Sequence, residues 1–293
     1  MLPGPTLVFK CPKCENFTTR GSLLSGNTMG ARMFSDGKII AEMLPEFPAI
    51  TKCWNCNTFY WLDNKNYAGK LNRREFLLKD ENGNFIDDTE YWDEEIEIPR
   101  SRRSVEEFGL TEPIKTTNRQ MMLDLGANAE SFYKKGFEYT LKDESGNSID
   151  ITNKKWKSAH FLSIEEYFET ISTNVFADIK DEKFLRIKLW QSFNDRTRNG
   201  EELFRSEKSK VVYEANCERL TGILNHADIN EKLMMAECYR NLGKFDECRR
   251  ILETISDEKY LWQKEQIKNE CYKNNRKVIE LIQSDDGGSI HLF

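Results

Sequence analysis

Hydrophobic and polar positions are arranged in three different ways along this chain. Up to about residue 66, apolar residues come in short runs, Leu7-Val8-Phe9 and Phe59-Tyr60-Trp61-Leu62, bounded by polar and turn-forming residues. That is the pattern of short buried strands. Residues 67 to about 155 are irregular and charge-patterned. From about residue 156 the apolar period becomes helical. Ser163-Ile164-Glu165-Glu166 predicts a helix start, with Ser163 as N-cap and Glu166 reaching back to close a capping box. A further helix is predicted over about Asp181–Phe193, where Phe184, Ile187 and Trp190 recur at helical spacing with Leu185 and Leu189 beside them. Asn199-Gly200 closes the loop behind it. The expected architecture is therefore α+β in three successive pieces: a small β-rich module over 1–66, a connector over 67–155 and an all-α domain over 156–293.

The connector contains an echo. FLLKDENGNFID (Phe76–Asp87) and YTLKDESGNSID (Tyr139–Asp150) agree at eight of twelve positions. Asn82-Gly83 and Ser145-Gly146 fall between apolar-rich runs, where glycine supplies the positive φ of a hairpin turn, so two similar β-hairpins are expected. A calcium loop fails on its own pattern, because Phe85 stands where the EF-hand requires glycine. Asp87 to Glu97 holds seven acidic residues and no Lys or Arg, a solvated edge or a site for a basic partner. PRSRRS (Pro99–Ser104) then reverses the sign.

Composition narrows the function. The chain has 293 residues, a net charge of −6, 18 Phe, 10 Tyr and 6 Trp, too aromatic for a disordered protein and too acidic for a general affinity for nucleic acid. MLPGPTLVFK is not a signal peptide, and no apolar run reaches 18 residues. A cytoplasmic protein with no membrane partner is expected, its cysteines reduced or metal-bound rather than paired as disulfides.

Four cysteines carry the strongest chemical signal: Cys11-Pro-Lys-Cys14 and Cys53-Trp-Asn-Cys56. Two residues between cysteines let both sulfurs face one point from a tight turn, and two such turns supply four thiolates, a closed tetrahedral site for one structural Zn²⁺. With an apolar run on the strand side of each pair, the layout resembles the zinc ribbons. It departs from that family at Glu15 and Asn57, where glycine is usual, and in the 38 residues between the pairs, against about 15–20 in the usual pattern. The competing reading of CPxC is a thiol oxidoreductase, whose pair opens a helix so that the dipole lowers a thiol pKa. His160, His226 and His291 are remote from the cysteines and form no HExxH motif.

The segment between the pairs includes SGNTMGARMFSDGK (Ser25–Lys38). It lacks the GxxxxGK[ST] spacing of a phosphate loop. Ser25-Gly26-Asn27 and Ser35-Asp36-Gly37 predict turns, with a strand over Met29–Phe34 between them. Arg32, Phe34 and Lys38 are the residues here predicted to meet a partner.

In the helical piece, Leu233–Ile255 places Ala236, Tyr239, Gly243, Phe245, Cys248 and Leu252 as in a helix, a glycine turn and a second helix. Small Ala236 and Cys248 allow close approach, and Tyr239, Phe245 and Leu252 fill the crossing. The stretch resembles a tetratricopeptide repeat. ECYRNLGKFDE (Glu237–Glu247) and ECYKNNRKVIE (Glu270–Glu280) match at six of eleven positions with an offset of 33, beside a family period of about 34. Arg276 stands in place of the turn glycine. Cys217, Cys238, Cys248 and Cys271 read as small hydrophobes on helices.

No Ser/His/Asp arrangement, GxSxG, HExxH or nucleotide fingerprint occurs. As a whole, with SGNT…DGK…MLPEFP between two CxxC pairs and helices behind, the chain resembles an uncharacterised bacterial family, which implies no activity. The expected function is a non-enzymatic zinc-binding scaffold that holds a protein partner through its helical repeats. The alternatives are nucleic-acid binding through the ribbon, with Arg20, Arg32, Lys38 and Lys52 beside Phe34 and Trp54, and a CxxC thiol oxidoreductase. Residues 1–60 support the former with six basic against four acidic side chains.

Overall fold

The computed structural model describes the chain except residues 83, 85, 87–92, 99–112, 125–133, 152–153 and 284–293. The protein is α+β. Its first strands are β1 (Leu2–Pro3), β2 (Thr6–Lys10), β3 (Phe17–Arg20), β4 (Leu23–Ser25), β5 (Arg32–Phe34), β6 (Ile39–Ile40), β7 (Ile50–Lys52), β8 (Phe59–Trp61) and β9 (Tyr67–Leu77). Then come β10 (Glu95–Ile98), β11 (Ile114–Thr117), helix α1 (Asn118–Asp124), β12 (Lys135–Lys142), β13 (Ser148–Ile149) and β14 (Trp156–Ser158). Helices α2 (Ile164–Ser172), α3 (Ile179–Arg198), α4 (Glu207–Ile223), α5 (Ile229–Asn241), α6 (Phe245–Glu253) and α7 (Leu261–Tyr272) precede β15 (Glu280–Leu281).

The chain forms two compact units, one of Met1–Lys70 with Thr152–Phe293, the other Leu71–Ile151. Two units rather than three successive pieces is a departure from the expected organisation. The reason lies in long-range pairing. β14 adds parallel to β3 with Trp156 opposite Phe17, and β15 adds antiparallel to β5 with Glu280 opposite Phe34. Residues before 70 and after 156 therefore share sheets, which apolar periodicity along the chain cannot report.

In the first unit, β2 pairs antiparallel with β3 and β7 with β8. The helices start and stop where local chemistry dictates. The Ser163 side chain accepts from Glu166 N, and the Glu166 carboxylate accepts from Ser163 N. Asp178 caps α3, which ends at Asn199 with Gly200 at φ +76°. Consecutive helices from α2 to α7 pack each on the next. Leu185, Leu189, Trp190 and Phe193 of α3 meet Tyr213, Cys217 and Leu220 of α4 and Met235 and Cys238 of α5 in one core. Ala236, Cys248, Leu252, Ile267 and Cys271 belong to a second, so the four C-terminal cysteines are core residues.

The stretch around Gly243 forms the expected helix, turn and helix, with Gly243 at φ +78°. The matching stretch 33 residues on does not repeat it. After α7, Asn274 turns at φ +53° and the chain enters β15 instead of a second helix. Arg276, in the place of glycine, lies against Gly243 and donates from Nε to the Asn241 carbonyl at 2.8 Å, satisfying an acceptor at the end of α5.

In the turn Ser35-Asp36-Gly37 between β5 and β6, Ser35 and Asp36 are buried against α3 and α5. The Ser35 hydroxyl donates to Glu237 Oε1 at 2.7 Å. Glu237 is held in turn by Arg240, which donates to Oε1 at 2.6 Å and to Oε2 at 2.8 Å; both residues are fully buried. Asp36, also 0% exposed, accepts from Asn194 Nδ2 at 2.9 Å and from Arg198, and its carbonyl accepts from Gln191 Nε2 at 3.1 Å. Asn194 Oδ1 accepts from the Tyr213 hydroxyl at 3.0 Å, and Trp190 Nε1 donates to Asn241 Oδ1 at 2.9 Å. These bonds give the buried carboxylates of Asp36 and Glu237 the partners they need, while Arg198 Nε is buried without one among the described residues.

In the second unit, β10 pairs antiparallel with β11, and β12 with β13. The echo is structural. Asp143 N donates to the Asn147 carbonyl at 3.0 Å, and Asp80 N to the Asn84 carbonyl at 2.8 Å. Each aspartate then accepts from the backbone N–H of the asparagine four residues on, both at 2.8 Å. Gly83, Phe85 and Asp87 lie outside the described residues, as do PRSRRS and the acidic run as far as Trp92. Of the rest of that run, Asp93 takes a bond from Arg119 Nε at 2.7 Å and Glu97 faces Lys115 at 3.5 Å.

Candidate metal centre

Each cysteine pair sits in the turn of a hairpin. Cys11–Asn16 joins β2 to β3, and Cys53–Thr58 joins β7 to β8. The turns are built alike. Cys11 N donates to the Asn16 carbonyl at 2.9 Å and Glu15 N to the Cys11 carbonyl at 3.0 Å. Cys53 N donates to the Thr58 carbonyl at 2.8 Å and Asn57 N to the Cys53 carbonyl at 3.0 Å. Both turns need one residue in the left-handed region, and here it is Glu15 at φ +60° and Asn57 at φ +58°. The two departures from glycine thus keep the glycine conformation, at a cost of about 1 kcal/mol for a glutamate.

The four sulfurs converge. Cys11 Sγ lies 3.6 Å from Cys56 Sγ, Cys14 Sγ lies 3.5 Å from Cys53 Sγ, and all four are within 4.8 Å of one another. A tetrahedral ion with metal–sulfur bonds of about 2.3 Å has sulfur–sulfur edges of about 3.8 Å. The residues fit a metal ion in number, chemistry and spacing. Cys11 and Cys53 are buried with Phe9, Tyr60 and Leu62, whereas Cys14 and Cys56 face outward.

That asymmetry splits their acidities. Burial pushes the Cys11 thiol up to about 12 and raises Cys53 as well. At Cys14 burial is outweighed by hydrogen bonds, first from the Asn16 side chain, which bring the thiol down to about 6. Burial is outweighed at Cys56 too, by bonding to Thr58. Four thiolates this close repel one another, and a divalent cation removes that repulsion while replacing the protons. Among the described residues this is the one cluster of three or more His, Cys, Asp or Glu able to hold a metal ion. His160 and His226 lie elsewhere on exposed positions, and His291 lies outside the described residues.

The residues predicted to meet a partner fare differently. Phe34 is 6% exposed, with the Arg198 guanidinium 4.6 Å from its ring centre. Lys38 is bound to Asp195 at 2.6 and 2.8 Å. Both therefore anchor the β5–β6 hairpin to α3 rather than face solvent, because the turn between them enters the helical core. Arg32 stays exposed, 3.5 Å from Glu280. Of the other basic residues expected to meet phosphates, Arg20 donates to the Pro48 and Leu62 carbonyls at 3.2 and 3.1 Å. Lys52 lies between Glu166 and Glu169 at 3.7 and 3.4 Å.

Compared with known proteins, the chain matches no family model, no curated protein and no solved structure. Among the described residues no helix is long and apolar enough to cross a membrane.

Proposed function

We propose that this chain is a non-enzymatic scaffold whose N-terminal hairpins are held by one structural zinc ion and whose helices carry a protein partner. The observation behind it is the donor set: four cysteine sulfurs within 4.8 Å. A tetrahedral ion with four protein ligands keeps no open position for substrate, which is the mark of a structural site. Zinc is favoured because thiolates are soft ligands and zinc imposes no geometry of its own. The hairpin of α5 and α6, with Ala236 and Cys248 buried in one core, supports a tetratricopeptide-like reading of that one unit, and such hairpins present binding surfaces in repeat proteins.

On the side of a thiol oxidoreductase stand the hydrogen bonds from Asn16 and Thr58, which favour lowered Cys14 and Cys56 thiols. Against it, both pairs lie in turns between strands and not at a helix start. Metal analysis of the full chain purified under reducing conditions separates the two. The scaffold reading expects one zinc per chain and no insulin reduction; insulin reduction by a metal-free chain would reverse the choice. The bait for partner capture is the full chain, since 156–293 shares strands with residues before 70. Recovery of no specific partner would remove the interaction half of the proposal.

A further inference from the structure

Beside the second cysteine turn lies a cleft of about 320 Å³ that none of the expected basic residues lines. Its walls are Trp54, from within the Cys53–Cys56 turn, and Lys154, Lys155, Trp156 and Lys157. Both tryptophans meet the chain at Phe17. Trp54 Nε1 donates to the Phe17 carbonyl at 3.0 Å, and Trp156 is the strand partner of Phe17. The Lys157 ammonium lies 5.3 Å from the Trp54 ring centre.

The electrostatics are local. The chain carries a net charge of −6, yet no Asp or Glu occurs between Glu46 and Asp63 or between Asp150 and Glu165, the two stretches that meet here. Among the described residues no carboxylate pairs with Lys154, Lys155 or Lys157, whereas Lys38, Lys52, Lys183 and Lys188 are all paired. Two half-buried aromatic rings with three unneutralised ammonium groups form a stacking platform beside a phosphate-attracting rim. An acidic peptide would use the lysines and leave the indoles without a role. A duplex would need an element that enters a groove, and this short edge strand and turn offer none.

We infer that the Trp54–Trp156 cleft binds single-stranded nucleic acid, a base stacking against indole while Lys154, Lys155 and Lys157 meet the flanking phosphates. This is independent of the protein-partner reading and uses different residues from the ribbon surface expected from the sequence, Trp54 alone being common to both.

The test titrates the full-length, zinc-loaded chain into a fluorescein-labelled twelve-nucleotide oligothymidine and follows anisotropy at several salt concentrations. Saturable binding at 50 mM salt is expected, with log K falling against log salt at a slope of about −2, three phosphate contacts at about 0.7 each. Lys154→Ala/Lys155→Ala, at two exposed positions, should weaken binding at least tenfold and reduce the slope to about −1, with zinc content unchanged. Trp156→Ala should weaken it about tenfold while leaving the slope in place, since stacking releases no counterions. Trp54→Phe, whose ring still stacks and whose zinc content is measured in parallel, should bind within about threefold of the parent. The inference is overturned by no retention of the oligonucleotide at 50 mM salt, or by equal affinity in the double-lysine variant. Equal binding of a polyglutamate peptide, or of a duplex of the same length, overturns it as well. So does loss of zinc in the lysine variant in place of loss of binding, which would make the lysines partners of the metal centre.

Discussion

Asp36→Ala is the perturbation that bears most directly on how the long segment between the cysteine pairs is held. Asp36 is fully buried and accepts from Asn194, from Arg198 and from Lys38 N at 3.2 Å. Arg198 is itself 7% exposed and keeps only Asp195, at 2.7 Å, as a remaining carboxylate. Removing one partner of a buried ion pair leaves the other charge desolvated, which costs about 3–5 kcal/mol. Asp195 offsets part of this, so about 3 kcal/mol is expected, a large share of a total stability of about 5–15 kcal/mol. With a urea m-value of about 2–3 kcal/mol/M, the midpoint should fall by about 1–1.5 M. The assay is urea unfolding followed by circular dichroism at 222 nm, which reports the helices, with zinc content measured alongside. The expected loss appears with zinc retained, because the turn and the metal centre are held by different residues. A midpoint within about 0.3 M of the parent would refute the seating of this turn in the helical core, since so small a shift is below 1 kcal/mol.

Three further outcomes follow from the same geometry. Gly37→Ala meets both a φ of +74° and Met234 Sδ at 3.2 Å from the new carbon, whereas Gly30→Ala meets φ +70° and open space; thermal melts should rank Gly37→Ala the more destabilising, about 2–3 against about 1 kcal/mol. The Glu182 carboxyl, bonded by Arg219 and Arg186, is lowered from 4.5 to about 2. A depressed carboxyl stabilises the fold above its unfolded pKa and loses that contribution as pH falls, so the deficit of Glu182→Gln, about 1–3 kcal/mol once the half-exposed Arg219 is allowed for, should be full at pH 6 and vanish towards pH 2. A deficit that stays constant over that range in paired urea curves would remove the charge argument. In thiol titration with Ellman's reagent, the zinc-loaded chain should show no rapidly reacting cysteine, about two after chelation (Cys14 and Cys56) and all eight after unfolding, because Cys11, Cys53, Cys217, Cys238, Cys248 and Cys271 are buried at 0–1% exposure.

What was legible in the sequence is what local chemistry determines. The spacing of Cys11, Cys14, Cys53 and Cys56 identifies a four-sulfur centre, and the Ser163 box and Asn199-Gly200 mark helix ends, because each depends on residues within a few positions. The role of Ser35-Asp36-Gly37 was not legible, because its partners Gln191, Asn194, Arg198 and Glu237 lie more than 150 residues away. A signal was present on the helices. Gln191, Asn194 and Arg198 recur at helical spacing beside Trp190, and Glu237, Arg240 and Asn241 do so in α5, so polar stripes continue apolar faces. Buried polar residues in a stripe imply that something polar is packed against them. Phe34 and Lys38, expected to meet a partner, are held instead by Arg198 and Asp195, which lie more than 150 residues further along the chain. The second helical copy failed at Arg276, where no glycine is present to supply the turn and Val278-Ile279 favour a strand. Nothing local marks the lysine cluster around β14, because its partner tryptophan lies about a hundred residues earlier, within the second cysteine turn.

X-ray absorption at the zinc edge on the full chain tests the four-sulfur centre most directly. The prediction is one zinc per chain with a first shell of four sulfurs at about 2.3 Å and no nitrogen or oxygen, lost on Cys11→Ser/Cys53→Ser. A chain free of zinc, or a shell in which oxygen or nitrogen replaces one of the sulfurs, would contradict it.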